Sequence, residues 1–136
     1  MEFRVRYSDT DQMGTYYNSR PLEWFEQGRS ELCRALGKTY REMESLGVRM
    51  PVTESHVEYL GPAEYDDLLR MTLVLSMGGK ARLRFDVAVE QAETGRPVCR
   101  GWTIHAVTNL DGRPMRPPAW LHEMVGGTAV DDIRAR

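Results

Sequence analysis

One helix-like segment, set among segments that all read as strands, limits the fold more than any other feature of this sequence. Over 20–36, "RPLEWFEQGRSELCRAL", the residues Leu22, Phe25, Leu32 and Leu36 recur at helical spacing. Trp24, Cys33 and Ala35 widen that apolar face, which predicts a helix packed on more than one side. Pro21 suits the first turn, where its missing N–H costs nothing, and Gly37 supplies the stop. Gly28 in the middle is unfavourable by ~1 kcal/mol against alanine. Close approach to a neighbouring backbone is the expected compensation.

Two of the flanking segments alternate with period two. "EFRVRYS" sets Phe3, Val5 and Tyr7 against Glu2, Arg4 and Arg6, a first strand. Thr39 and Glu42 form a capping-box pair that opens a short second helix, ended by Gly47. A strand is expected from Met50 to Leu60, and three long ones over about 67–77, 80–93 and 97–109, joined by the turns "SMGGK" and "ETGRP". In the second of these, Leu83, Phe85, Val87 and Val89 alternate with Arg84, Asp86, Ala88 and Glu90. "AWLHEM" reads as one closing helical turn. Strands that follow a single long helix argue for an α+β domain with an antiparallel sheet curled around that helix. The outer face of such a sheet is only half covered, which invites dimerisation. Residues 1–125 read as one domain and 126–136 as a flexible tail.

Charge and motif content remove several classes of function. A net charge of −2 lacks the basic excess of a nucleic-acid binder. Cys33 and Cys99 are far apart and in no C-x-x-C pattern, so they read as small buried hydrophobes. His56, His105 and His122 stand in no H-E-x-x-H pattern, and there is no G-x-S-x-G or Gly-rich phosphate loop. Neither a metal nor a redox cofactor is expected. The chain opens on "MEFRVRYSD" and holds no apolar run near the ~20 residues of a membrane span, so a cytoplasmic protein is expected.

The stretch "YSDTDQMG" places two acids and a glycine between the first strand and the long helix. Asp11 has the position and the chemistry to act as base or nucleophile. Main-chain N–H groups at the helix start are suited to hold negative charge on a carbonyl oxygen. The same acids also read as turn formers or helix-dipole partners. Asp9 is expected to order the loop by accepting backbone N–H groups. Tyr16 and Tyr17 either line a pocket or simply pack. Lys80 and Arg82 alternate onto one face at a strand start, as solvated edge charges or as ligand contacts. Glu26 and Arg29, on a helix expected to be buried, are read as an ion pair or part of a hydrogen-bond network.

Three segments taken together, "RVRYSDTDQMG", "LEWFEQGRSELCRALG" and "VEYLGPAEYDD", resemble the hotdog-fold acyl-CoA thioesterases. The match is to the 4-hydroxybenzoyl-CoA thioesterase branch, which includes the short bacterial proteins associated with the Tol–Pal operon, and it runs from about Phe3 to Met124. Its specific part is "YSDTDQMG" followed by "WFE" and Arg29. The resemblance implies a five-stranded sheet wrapped around the helix, and hydrolysis of an acyl-CoA to free acid and coenzyme A. It implies that Asp11 is the catalytic carboxylate and that the backbone N–H of Asn18 polarises the thioester carbonyl. Tyr17 would then contact the acyl group, and Lys80 and Arg82 the coenzyme A phosphates. It further implies a homo-oligomer, a dimer or a tetramer of two dimers, with coenzyme A bound across a subunit boundary. Many relatives carry histidine at the position of Asn18 and Asn-Tyr at Arg20–Pro21, so only a backbone role carries over at Asn18. Acyl-carrier-protein dehydratases share the fold but use a His-Phe-Pro segment that is missing here. The alternative reading is a non-catalytic hotdog protein that binds acyl-CoA or serves as a scaffold.

Overall fold

A computed structural model describes residues 1–127. The long helix, α1, spans Arg20–Ala35, and the short helix α2 spans Tyr40–Ser45 behind its capping box, with Glu42 N–H donating to Thr39 Oγ1 at 3.1 Å. The strands are β1 (Glu2–Arg4), β2 (Val52–Tyr59), β3 (Leu68–Gly79), β4 (Arg82–Gln91) and β5 (Pro97–Ala106), and α3 spans Ala119–Gly126. All pairings are antiparallel, in the order β1-β3-β4-β5-β2. This is the α+β architecture expected. The closing helix is longer than the single turn predicted and takes in residue 126. The rest of the proposed tail lies, beyond Gly127, outside the described residues. Among the described residues no helix is long and apolar enough to cross a membrane.

The helix lies along the concave face of the sheet. Leu83, Phe85, Val87 and Val89 of β4 all point to it and are buried. Trp24 and Phe25 near the start of α1 pack with Val87, Val89 and Cys99. Cys33 near its end packs with Leu75, Leu83 and Phe85. Both cysteines are buried free thiols.

Four expectations need correction. The first strand stops at Arg4, because the chain bends into a 3-10 turn at Tyr7–Asp9. Buried Asp9 captures the Arg6 N–H at 2.8 Å and leaves Tyr7 exposed. Leu22 and Ala35 are exposed rather than on the packed face, which instead uses Trp24, Phe25, Gly28, Arg29 and Cys33. Gly28 is approached by side chains rather than backbone: a Cβ there would collide with Met71 Sδ and lie 3.0 Å from Leu73 Cδ2. Glu26 and Arg29 form no ion pair with each other: Arg29 is buried and interacts instead with the Tyr40 hydroxyl, while Glu26 is exposed.

Behind α2 sits a buried histidine. His105 is 2% exposed, its Nδ1 lies 2.9 Å from the Met50 carbonyl oxygen, and its Nε2 lies 2.9 Å from Thr103 Oγ1. Such partners suit the neutral ring, with N–H on Nδ1 donating to Met50 and Nε2 accepting from the threonine hydroxyl. Burial pushes its pKa down to about 4, with nearby Arg29 adding to the effect. The unfolded chain takes up this proton near 6.5, so unfolding is favoured as pH falls. The stability it contributes is full above about 6.5 and is lost progressively towards about 4, some ~3 kcal/mol at most. His105→Asn is expected to flatten the fall of the melting temperature between those pH values. An unchanged slope would assign acid sensitivity to other groups.

Candidate active site

The segment after β1 forms a small hairpin. Asp11 N–H donates to Thr15 O at 2.9 Å, Tyr17 N–H to Asp9 O at 2.7 Å, and Thr10 bridges Tyr16. Gly14 N–H closes the turn onto Asp11 O at 3.1 Å. Gly14 takes φ 82°, a left-handed conformation that glycine adopts without steric cost. Asp11 opens this turn, and its Oδ1 accepts the Met13 N–H at 2.8 Å. That bond aims the half-buried carboxylate and leaves Oδ2 without a donor among the described residues.

Asp9 plays a different part. It is fully buried, and its carboxylate accepts Arg6 N–H at 2.8 Å and Arg6 Nη2–H at 3.0 Å. This is the loop-ordering role expected for it. Tyr16 anchors the returning arm. It is buried against Trp24, with its hydroxyl 3.2 Å from Gly61 O and 3.1 Å from Val98 O. Tyr17, the next residue, is half exposed beside the helix start.

The start of α1 is held from two sides. Tyr17 O accepts the Arg20 N–H at 3.0 Å, and Asn18 O accepts the Tyr59 hydroxyl from the end of β2. Carbonyl and N–H point opposite ways across a trans peptide. Tyr17 O faces the helix, so the Asn18 N–H faces away from it. Among the described residues that N–H has no acceptor. Ser19 caps the helix without a side-chain hydrogen bond, and Pro21 has no N–H, so little competes for an incoming oxygen here.

Asp11, Tyr17 and Asn18 thus share one hairpin. Lys80 and Arg82 do not join them within the protomer. They are exposed at the β3–β4 tip, where Arg82 pairs with Ala106. The hairpin of Asp11 packs beside Val98, at the Glu90 end of β4, so roughly 25 Å of strand separates the groups. The sequence reading missed the Tyr59 hydroxyl; a tyrosine ending a strand just before "GPAEYDD" gives no sign of its partner 41 residues earlier.

A five-stranded antiparallel sheet wrapped around one long helix is the hotdog fold. The sequence profile of the thioesterase-like superfamily matches residues 5–125, and the chain belongs to that superfamily. It is 33% identical over 91 residues to the acyl-CoA thioester hydrolase YbgC of Escherichia coli O6:H1, covering 66% of this chain and 67% of that protein. It is 42% identical over 66 residues to YneP of Bacillus subtilis, named as a candidate acyl-CoA thioesterase, covering 48% of each. The match therefore spans about half the length of that relative. Among solved structures, the DHNA-CoA thioesterase of Staphylococcus aureus superposes with a TM-score of 0.83 at 27% identity, over 93% of this chain and 87% of that one.

Proposed function

We propose that this protein is an acyl-CoA thioesterase that uses Asp11 and the Asn18 N–H. The observation that carries the reading is the pairing, on one hairpin, of an aimed carboxylate with a main-chain N–H that has no partner among the described residues. The thioester carbonyl oxygen accepts from Asn18 N–H, at the positive end of α1. Attack on the carbonyl carbon comes from Asp11 Oδ2 itself, or from a water whose proton passes to it. In the water route the C–S bond then breaks, the proton held by Asp11 passes to sulfur, and the products are the free acid and the coenzyme A thiol. In the direct route the C–S bond breaks to leave an acyl–Asp11 anhydride. A water that hydrolyses it restores the carboxylate, releases the free acid and supplies the proton to sulfur.

The working unit in this reading is a dimer joined through β2. That strand is an eight-residue sheet edge, exposed along most of its length, and Val52, Tyr59 and Leu60 add exposed apolar surface. Antiparallel pairing of two β2 strands about a two-fold axis sets the start of one against the end of the other. The start of β2 lies at the Arg82 end of the sheet and its end holds Asn18. A second copy would thus bring its own Lys80 and Arg82 to the side of the sheet where Asp11 lies, as contacts for coenzyme A phosphates. The test is thiol release from a panel of acyl-CoAs, run on fractions sized by light scattering. Turnover that co-elutes with a dimer or a larger even assembly is expected. Binding of acyl-CoA without turnover of any of them would favour the scaffold reading.

A further inference from the structure

A cavity of about 580 Å³ opens between α1, α2 and the start of β2, lined in part by Arg29, Tyr40, Met43, Val48, Met50 and His105. Most of this lining is apolar or neutral. Arg29 is the exception. It is 7% exposed, its Nε is buried without an acceptor, and the guanidinium forms no ion pair among the described residues. The Tyr40 hydroxyl beside it interacts with Arg29 and with the Cys33 thiol, but it is buried and no hydrogen bond of ordinary geometry satisfies it among the described residues. Glu26, Glu44 and Arg49 stand at the exposed rim. A buried guanidinium with no counter-charge is costly unless something pairs with it, and its planar fork suits a carboxylate.

The proposed dimer would also place the cavity where an acyl chain ends. Met50, Pro51 and Val52 form its wall at the start of β2. In the β2-paired dimer, that start meets the end of the other copy's β2, the strand end that holds Asn18. We infer that the cavity receives the far end of the acyl group being hydrolysed in the other protomer, and that Arg29 with the Tyr40 hydroxyl selects acyl groups ending in a carboxylate. This inference rests on the thioesterase reading for its reaction, but not for its binding site.

Matched thioesters test it. Suberyl-CoA and octanoyl-CoA have the same chain length and differ by the terminal carboxylate. The wild type is expected to favour suberyl-CoA in kcat/KM by at least about a hundredfold, since a site built around buried polar groups rejects the analogue that leaves them unpaired. Arg29→Met is expected to remove or invert that preference, and Tyr40→Phe to weaken it, in protein that stays folded and keeps its assembly state. Calorimetric titration with free suberate and free octanoate measures the site without turnover. Only suberate is expected to bind the wild type, and neither the Arg29→Met variant. If octanoyl-CoA is cleaved as well as suberyl-CoA and suberate does not bind, the inference fails while the thioesterase stands. If no thioester is cleaved but suberate binds through Arg29, the thioesterase reading fails and the carboxylate site stands. Arg29→Met and Tyr40→Phe variants that lose stability or dissociate with an unchanged substrate ratio would make Arg29 a structural residue and overturn the assignment.

Discussion

Asp11→Asn is expected to lower kcat on any acyl-CoA that is turned over by at least about a hundredfold, the low end for losing a positioned acid–base group. Asparagine is nearly the same shape, and its side-chain oxygen still accepts the Met13 N–H that aims Asp11 at 2.8 Å. The hairpin should keep its geometry and the protein its melting temperature. What disappears is the charge on the outer oxygen. Neutral amide oxygen neither takes a proton from water at neutral pH nor attacks a carbonyl carbon. KM should change little, because the carboxylate acts on the transition state rather than on bound substrate. Steady-state kinetics beside a thermal melt check both halves. A folded variant with wild-type turnover would move the reaction elsewhere in the molecule.

The second large effect is on stability. Gly101 sits on the concave face of β5, opposite Val57 of β2 and Val87 of β4. A Cβ built there would overlap the carbonyl oxygen of His56, lie 2.9 Å from its carbonyl carbon and 3.1 Å from Cε2 of Phe25. The first obstacle is backbone of the neighbouring strand, which cannot rotate away as a side chain can. Gly101→Ala is therefore expected to cost about 3 kcal/mol, the upper part of the range for overpacking. In a chain of this size that lowers the melting temperature by about 10 °C. Activity should fall as well. Displacing β2 moves Tyr59, and with it the carbonyl of Asn18. Circular dichroism melts check the shift, and a variant as stable as wild type would show that β2 yields freely.

The elements most legible in the sequence are those whose signal is periodic. α1 was expected over 20–36 and runs Arg20–Ala35. The four later strands stand close to where the sequence places them, the third of them by clear alternation, and Thr39 with Glu42 form the capping box expected. What was hidden depends on a partner distant in sequence or on a residue with no apolar signature. Gly28 belongs to the packed face of α1 through Met71 and Leu73, but a hydrophobic count scores it as blank. That gap let Leu22 stand in for it. The early end of β1 follows from the burial of Asp9, which alternation of Phe3, Val5 and Tyr7 does not reveal. The separation of Lys80 and Arg82 from Asp11 needs strand order and register, and neither is written in local pattern. Glu26 and Arg29 sit three apart on one helix, so pairing them was reasonable by spacing. Packing buried the arginine and left the acid outside.

The two acids of the hairpin divide structure from chemistry. Asp9 is buried and grips Arg6 through main chain and side chain, so the shape of the loop depends on it. The Asp11 side chain makes one hydrogen bond among the described residues, and asparagine can make the same one. Over evolutionary time the two positions then face different selection. Asp9 is constrained in every descendant that folds, whatever that descendant does. In the proposed mechanism Asp11 is constrained only while the reaction matters. Under the mechanism proposed above, a single codon change there would leave a well-folded protein with its cavities intact and no hydrolysis, a short route from enzyme to ligand receptor.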